Sequence, residues 1–242
     1  MLIAAIAKPL RALESLFYPT LCASCLEPVT ERDHLCAKCA ENAPRIRPPF
    51  CHTCSEPFDG EITEIFFCAN CAHRRLYFES AVSAYRSRGI VRKLVHDFKY
   101  HGQIHLRRPI AAWLSETLDD PRLHGRRFDT VVPVPLHPAR QRERGFNQAE
   151  LLAEVVCADA GLQLHPALER IRYTTTQTAF DRAERMENLR GAFRLRRKAD
   201  VRGSRVLLID DILTTGSTLS ECARVLKANG AVSVHAATAA RA

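Results

Sequence analysis

The sequence predicts an α/β protein in which a parallel sheet is flanked by helices and preceded by a small cysteine-rich module. Eight of the ten cysteines form four Cys-x-x-Cys pairs, all within the first 71 residues. Beyond about residue 80, strand and helix patterns alternate, which is typical of a parallel sheet covered on both faces. The run 205–211 is almost wholly apolar, as in a central parallel strand. We therefore predict two domains, 1–78 and 79–242.

The elements of the larger domain are predicted from the spacing of its apolar residues. Helical spacing predicts helices over 90–98, 104–118, 146–161 and 217–230. Strands are predicted over 80–86, 129–135, 205–211 and 232–240, with a weaker candidate over 167–173. A loop bounded by prolines follows the strand 129–135. The stretch 174–191 has many charges and no apolar period, so we predict a mobile loop with some helix there.

The four Cys-x-x-Cys pairs predict two closed, structural zinc sites. Each pair places two thiolates on one tight turn, which is half of a tetrahedral site. Joining neighbouring pairs closes shorter loops than an interleaved arrangement, so sequential pairing is favoured. The ligands are then Cys22, Cys25, Cys36 and Cys39 in a first cluster and Cys51, Cys54, Cys68 and Cys71 in a second cluster. Because metal binding and folding are coupled, replacing Cys25 or Cys54 is expected to unfold the N-terminal part alone.

Composition and charge narrow the class of protein. No apolar run reaches the roughly 18 residues that a membrane helix needs. The first 19 residues lack the basic start of a signal peptide. Their charges recur at helical spacing, which predicts a short amphipathic helix, with a membrane-surface anchor as the alternative.

The formal charge of +8 falls to about +4 if eight thiolates bind two Zn²⁺. Cys157 and Cys222 are expected to be buried helix thiols. Metal-type cysteine spacing indicates a reducing compartment, so we expect a cytoplasmic protein.

A polar loop after the apolar strand 205–211 predicts an anion site. Asp210 and Asp211 end the predicted strand, and a helix follows the loop. Ligands of open α/β sheets bind beyond the carboxyl ends of the strands, where the N–H groups of a helix start favour an anion. Adjacent carboxylates repel each other unless a ligand, such as a sugar diol, binds them. The loop residues are Thr214, Thr215, Gly216, Ser217 and Thr218. The alternative is an ordinary helix start with both acids in solvent.

The segment LLIDDILTTGST (207–218) resembles the phosphoribosyl-diphosphate motif of type I phosphoribosyltransferases. The resemblance implies that Asp210 and Asp211 hold the ribose hydroxyls and that the five loop residues hold the 5′-phosphate. It also implies a type I phosphoribosyltransferase-like fold and Mg²⁺ bound together with phosphoribosyl diphosphate.

Two more segments carry the same resemblance. The segment 131–153 is similar to the diphosphate loop of that family, in which we expect Arg142, Arg144 and Asn147 to take part. The segment 172–193 is similar to its flexible hood, in which Arg182 and Arg185 are expected to meet phosphate charge; a solvated loop face is the alternative.

The whole chain resembles the ComF/GntX (competence protein F) family, which joins a double zinc ribbon to a phosphoribosyltransferase domain. The marks are the four cysteine pairs, FKYHG (98–102), PVPLHPARQRERGFNQ (133–148), TTTQTAF (174–180) and LLIDDILTTGST (207–218). That family is associated with natural transformation and the use of external DNA.

Two functions are compatible with this resemblance. The first is a transferase that passes a ribosyl group to a nucleophile, with Lys99 facing the acceptor; a solvated helix end is the alternative for Lys99. The second is a non-catalytic module that senses the ribosyl ligand and binds single-stranded DNA or a competence helicase. Its contacts would be the zinc ribbons and the arginine clusters at 107–108, 126–127 and 194–198. For any one cluster, solvated surface is the simpler interpretation.

Overall fold

A computed structural model of the chain describes residues 20–30, 34–62, 64–173 and 189–242. The predicted N-terminal helix and most of the predicted loop 174–191, with Arg182 and Arg185, lie outside the described residues. The chain divides into two compact units, one ending at Ala43 and the other spanning Pro44–Ala242. The second cysteine cluster therefore belongs to the same unit as the sheet. The domain boundary after residue 78, which separates the cysteine-rich segment from the alternating strands and helices, stays a prediction.

The larger unit is built on a four-stranded, all-parallel sheet, which confirms the predicted fold class. Its strands are β1 (Ala81–Arg86), β2 (Thr130–Pro133), β5 (Arg205–Leu213) and β6 (Ser233–Arg241), in the spatial order β1-β6-β5-β2. Two short strands, β3 (Leu168–Arg170) and β4 (Phe193–Leu195), form a separate antiparallel pair. The weaker strand candidate, 167–173, therefore forms β3 and pairs outside the main sheet. The strand β4 was not predicted, because three residues are too few to show a period.

The described residues of the two units form seven α-helices, and some of their bounds differ from the predicted ones. The helices are α1 (Ala37–Glu41), α2 (Ala69–Ala72), α3 (Gly89–Tyr100), α4 (Arg107–Ser115), α5 (Pro138–Arg144), α6 (Gln148–Ala160) and α7 (Ser217–Ala228). The predicted helix 104–118 is shortened to α4 with a 3₁₀ turn at each end, because a helix from 104 would place Pro109, which has no N–H, in its interior. The loop predicted after β2 contains α5, which begins at Pro138. No helix among the described residues is long and apolar enough to span a bilayer.

The two faces of β5 pack against different helices. Val206 and Leu208 belong to a core shared with α7 and the second cysteine cluster. Leu207 and Ile209 alternate with them along the strand and are fully buried on the opposite face, against α6. A strand buried on both faces needs apolar residues at every position, which explains the unbroken apolar run in the sequence. The same alternation decides where the two aspartates at the end of the strand point.

Candidate functional site

The loop between β5 and α7 has the geometry of an anion site. Gly216 is buried and left-handed, with φ 76°, at the N-cap position of α7. A side chain there would be strained, and its Cβ would lie 3.5 Å from the ring of Phe78. Because a glycine cannot cap the helix with a side chain, the first N–H groups of α7 remain available to an anion, apart from that of Ser217, which donates to Thr215 Oγ1 at 3.4 Å. The hydroxyls of Thr215 and Ser217 lie 2.9 Å apart beside them.

Asp210 and Asp211 lie within β5, which continues to Leu213, and not at its end as predicted. Since successive strand residues point to opposite faces, the side chain of Asp210 lies on the face of β5 that packs against α7. The side chain of Asp211 lies on the face that packs against α6. The two carboxylates therefore lie on opposite faces of the strand, which reduces the repulsion expected between them. Each carboxylate instead accepts a hydrogen bond from the next backbone N–H: Asp211 N lies 2.9 Å from Asp210 Oδ1, and Ile212 N lies 2.8 Å from Asp211 Oδ1.

β2 leaves the sheet before the level of these aspartates, and we call the side of β5 that it leaves the crevice. The register of β2 with β5 ends where Pro133 pairs with Ile209, followed by one hydrogen bond from Val134 N to Ile209 O at 2.9 Å. The chain then turns away into α5. The aspartates are thereby placed at the carboxyl edge of the sheet, next to a departing strand, which is where open α/β sheets bind ligands.

Lys99, at the end of α3, pairs with Asp211. Lys99 Nζ lies 2.6 Å from Asp211 Oδ2, and the two side chains are only 16% and 3% exposed. The contact is an ion pair without the angles of a hydrogen bond, since Asp211 Oδ2 accepts no hydrogen bond from the residues that the structure describes. Burial lowers the pKa of Lys99 to about 8, although the nearby Asp210 acts in the opposite direction. A solvated helix end is therefore wrong for Lys99, and its contact with an acceptor stays a prediction.

Three cations surround Asp210. Asp210 is half-buried, and burial of its carboxyl group raises its pKa to about 6, while Lys99, Arg170 and Arg144 act to lower it. The thiol of Cys222 also lies in this surrounding, and burial raises its pKa well above the usual value. With three cations and two carboxylates, the crevice has a net positive charge that suits an anion. Sequence reasoning missed Arg170, because β3 carries no motif.

The three residues predicted from the segment after β2, Arg142, Arg144 and Asn147, have different surroundings. Arg144 Nη1 donates to Gln148 Oε1 at 2.6 Å, and its guanidinium lies 5.2 Å from the centre of the Tyr100 ring. Asn147 caps α6, accepting from Ala149 N, and donates to the Val134 carbonyl, both at 3.2 Å. Arg142 is exposed on α5. Arg144 thus reaches the charged crevice, Asn147 holds the segment against the sheet, and the role of Arg142 stays a prediction.

The eight paired cysteines form two clusters in the sequential order. Within each cluster, the four sulfur atoms lie within 4.8 Å of one another, as tetrahedral thiolates around Zn²⁺ require. In the second cluster, the thiols of Cys54 and Cys71 lower the pKa of Cys51 by hydrogen bonding to its thiolate. The clusters differ in burial: Cys25 of the first is exposed, whereas Cys51 and Cys54 of the second are 0% and 2% exposed.

Similarity to known proteins agrees with both parts of this description. Residues 13–74 match the double zinc ribbon domain family, and residues 108–242 match the phosphoribosyl transferase domain family. The DNA utilization protein YhgH of Salmonella typhi is 33% identical over 224 residues, which cover 89% of this chain and 94% of that protein. The chain belongs to the ComF family. Competence protein F of Haemophilus influenzae is 29% identical over 203 residues, covering 82% and 86% of the two chains. Among solved structures, the adenine phosphoribosyltransferase of Thermoanaerobacter pseudethanolicus is 17% identical, with a TM-score of 0.35, over 56% of this chain and 70% of that one.

Membership of the ComF family confirms the resemblance and the fold class that the sequence predicts. The match to a double zinc ribbon, together with the two sulfur clusters, supports two structural zinc sites in this ComF protein. Four thiolates leave no open coordination position, so neither zinc is catalytic. The candidate site for a ligand is therefore the charged group of residues around Asp210 and Asp211 in β5.

Proposed function

We propose that this ComF protein binds phosphoribosyl diphosphate together with Mg²⁺ and transfers the ribosyl group to a nucleophile. One observation carries the proposal: at the carboxyl edge of β5, Asp210 and Asp211 lie beside the Gly216 loop, and the Lys99 ammonium lies 2.6 Å from Asp211. The ligand has a sugar diol, a phosphate ester and a diphosphate. The crevice offers carboxylates, an open helix start and buried cations to these three groups.

Each part of the ligand has a matching partner in the crevice. The ribose hydroxyls are expected to donate to the two carboxylates, of which that of Asp211 is held in place by its ion pair with Lys99. The 5′-phosphate binds the N–H groups and hydroxyls at the start of α7. Mg²⁺ prefers carboxylate and phosphate oxygens, so Asp210 and the diphosphate fit it. When bound, the ion would neutralise charge on the leaving diphosphate.

The chain's own cations stabilise the charges that develop during transfer. The bond between the ribosyl carbon and the diphosphate oxygen breaks, and the diphosphate leaves with the electron pair while the nucleophile forms the new bond. Lys99 and Arg144 stabilise the departing anion, and the carboxylates stabilise the positive ribosyl group. Arg182 and Arg185 are expected to close over the diphosphate, and they lie outside the described residues.

The proposal predicts magnesium-dependent binding of phosphoribosyl diphosphate by the zinc-loaded protein. Calorimetry with and without added Mg²⁺ measures this directly, without a chelator that would strip the zinc. Release of diphosphate in the presence of nucleobases and amines then tests transfer. Absence of binding would contradict the proposal, and binding without release for any acceptor would favour the ligand-sensing alternative.

The affinity for phosphoribosyl diphosphate is expected to fall above pH 8. The pKa of Lys99 is lowered to about 8, so its positive charge is present below that pH and is lost as the pH rises through it. If binding requires the protonated form of Lys99, the affinity falls by up to about tenfold for each pH unit above the pKa of Lys99. Calorimetry between pH 7 and pH 9 measures the slope, and the Lys99→Met variant is the control. An equal slope in that variant would remove Lys99 from the site.

We further propose that the activity serves competence and the utilisation of DNA. This rests on the names of the two relatives, competence protein F and DNA utilization protein. Exposed arginines at 126–127 and at 196–197 are available for phosphate contacts, whereas Arg194 pairs with Glu169 at 2.6 Å. Single-stranded DNA and a helicase partner stay predictions.

A further inference from the structure

The segment that supplies two ligands to the second cysteine cluster also holds residues 214–218, the proposed phosphate loop. Cys68 caps the short helix α2, and Cys71 lies within it. Between them, Asn70 Nδ2 donates to the Thr215 carbonyl at 3.3 Å. Just after the helix, Arg74 Nη1 donates to the same carbonyl at 3.2 Å, and Arg74 Nη2 donates to Ser217 Oγ at 3.1 Å. The zinc ribbon and the loop are thus joined by three hydrogen bonds.

These hydrogen bonds orient the loop for an anion. Because the Thr215 carbonyl accepts from both Asn70 and Arg74, its negative end is turned toward the ribbon and not toward the start of α7. Because Ser217 Oγ accepts from Arg74, the Ser217 hydroxyl keeps its single hydrogen for donation to Thr215 Oγ1 or to a ligand. Arg74 also brings a positive charge to a loop whose own residues, 214–218, carry none.

The orienting side chains are themselves held in place. Arg74 Nη1 donates to Asn70 Oδ1 at 2.6 Å, so the two side chains act as one unit. A helix of four residues has no stability of its own in water. Four thiolates of the second cluster fit one Zn²⁺, and a metal bound there would pin Cys68 and Cys71 on either side of Asn70.

We propose that Arg74, with Asn70, is a positioning residue of the phosphate loop, so that zinc in the second cluster sets the loop's affinity for a phosphate ester. This inference rests on the proposed function for the identity of its ligand, but its effect on the loop itself does not depend on that identity. The zinc of the second cluster then supports ligand binding as well as the fold.

The test compares Arg74→Ala with Arg75→Ala, a neighbouring exposed arginine whose guanidinium lies over the Tyr77 ring. Arg74→Ala is expected to weaken phosphoribosyl diphosphate binding about 10- to 100-fold, the effect of losing a hydrogen bond to a charged group. Arg74→Lys should recover part of this, because lysine restores the charge without the planar fork that reaches two acceptors. Arg75→Ala should bind as the wild type does.

Hydrogen exchange of the amides of 215–218, measured without ligand, separates this inference from the proposed function. Faster exchange in Arg74→Ala, with two zinc ions retained and no change in Arg75→Ala, supports the positioning role even if the wild type fails to bind phosphoribosyl diphosphate. Unchanged exchange and affinity in Arg74→Ala would overturn it. Loss of one zinc from both Arg74 variants would also overturn it, since Arg74 would then serve only the folding of the ribbon.

Discussion

Cys54→Ser is expected to lower the unfolding temperature of the whole sheet unit, whereas Cys25→Ser leaves that transition unchanged. Cys54 is 2% exposed and belongs to the same hydrophobic core as β5 and α7. The adjacent Ser55 donates to the Ala81 carbonyl at 3.1 Å and accepts from Arg122 at 3.0 Å, which ties this turn to the sheet. Losing the metal site would therefore destabilise the ribbon and the sheet together. For Cys54, this expected result differs from the one drawn from the sequence alone, in which only the N-terminal part unfolds, because Cys54 lies in the same compact unit as the sheet.

The size of this effect should be large enough for a simple measurement. Loss of a structural metal is among the few changes that exceed about 4 kcal/mol, which lowers the unfolding temperature by about 10 °C in a unit of this size. Trp113, the single tryptophan, is buried in α4 with its ring 5.2 Å from Tyr85, so its fluorescence reports on the sheet unit. Each variant should retain one zinc equivalent. Equal shifts of the Trp113 transition in the two variants would contradict the prediction.

Asp211→Asn is expected to weaken phosphoribosyl diphosphate binding about 10- to 150-fold. The asparagine keeps the shape of the side chain but loses the charge that accepts ribose hydroxyls and holds Lys99. Removing a charged acceptor costs on the order of 1.5–3 kcal/mol, which corresponds to that range of affinity. The loss should grow as the pH rises from 7 to 8, because without Asp211 the buried Lys99 gives up its proton more readily.

A matched variant, Asp159→Asn, controls for the change of charge. Asp159 is exposed on α6, away from the crevice, and should leave the affinity unchanged. Calorimetry gives the affinities, and the Trp113 melting curve checks that both variants are folded at the temperature used. A loss of less than threefold for Asp211→Asn in folded protein would refute its role in ligand binding.

Those parts of the fold and site that are local in sequence were predicted well. The apolar run that became β5 marks a strand buried on both faces, and the residues from Thr214 to Thr218 form a loop because they join that strand to the next helix. The sequential cysteine clusters follow from short loop closure. The direction of the two aspartates was missed, because it depends on how far β5 continues past β2.

Taken alone, the sequence determined the α/β class, the cysteine pairing and the position of the loop 214–218 between a strand and a helix, because each follows from periodicity or spacing within a short segment. Only the tertiary structure decided that Lys99 pairs with Asp211, that Arg170 lies near Asp210, and that Arg74 holds the loop. These contacts join residues that are 40 to more than 140 positions apart, and no local pattern encodes which charges meet. The physical reason is that helices and strands form from local preferences, whereas the charge balance of a buried crevice is set by which elements pack around it.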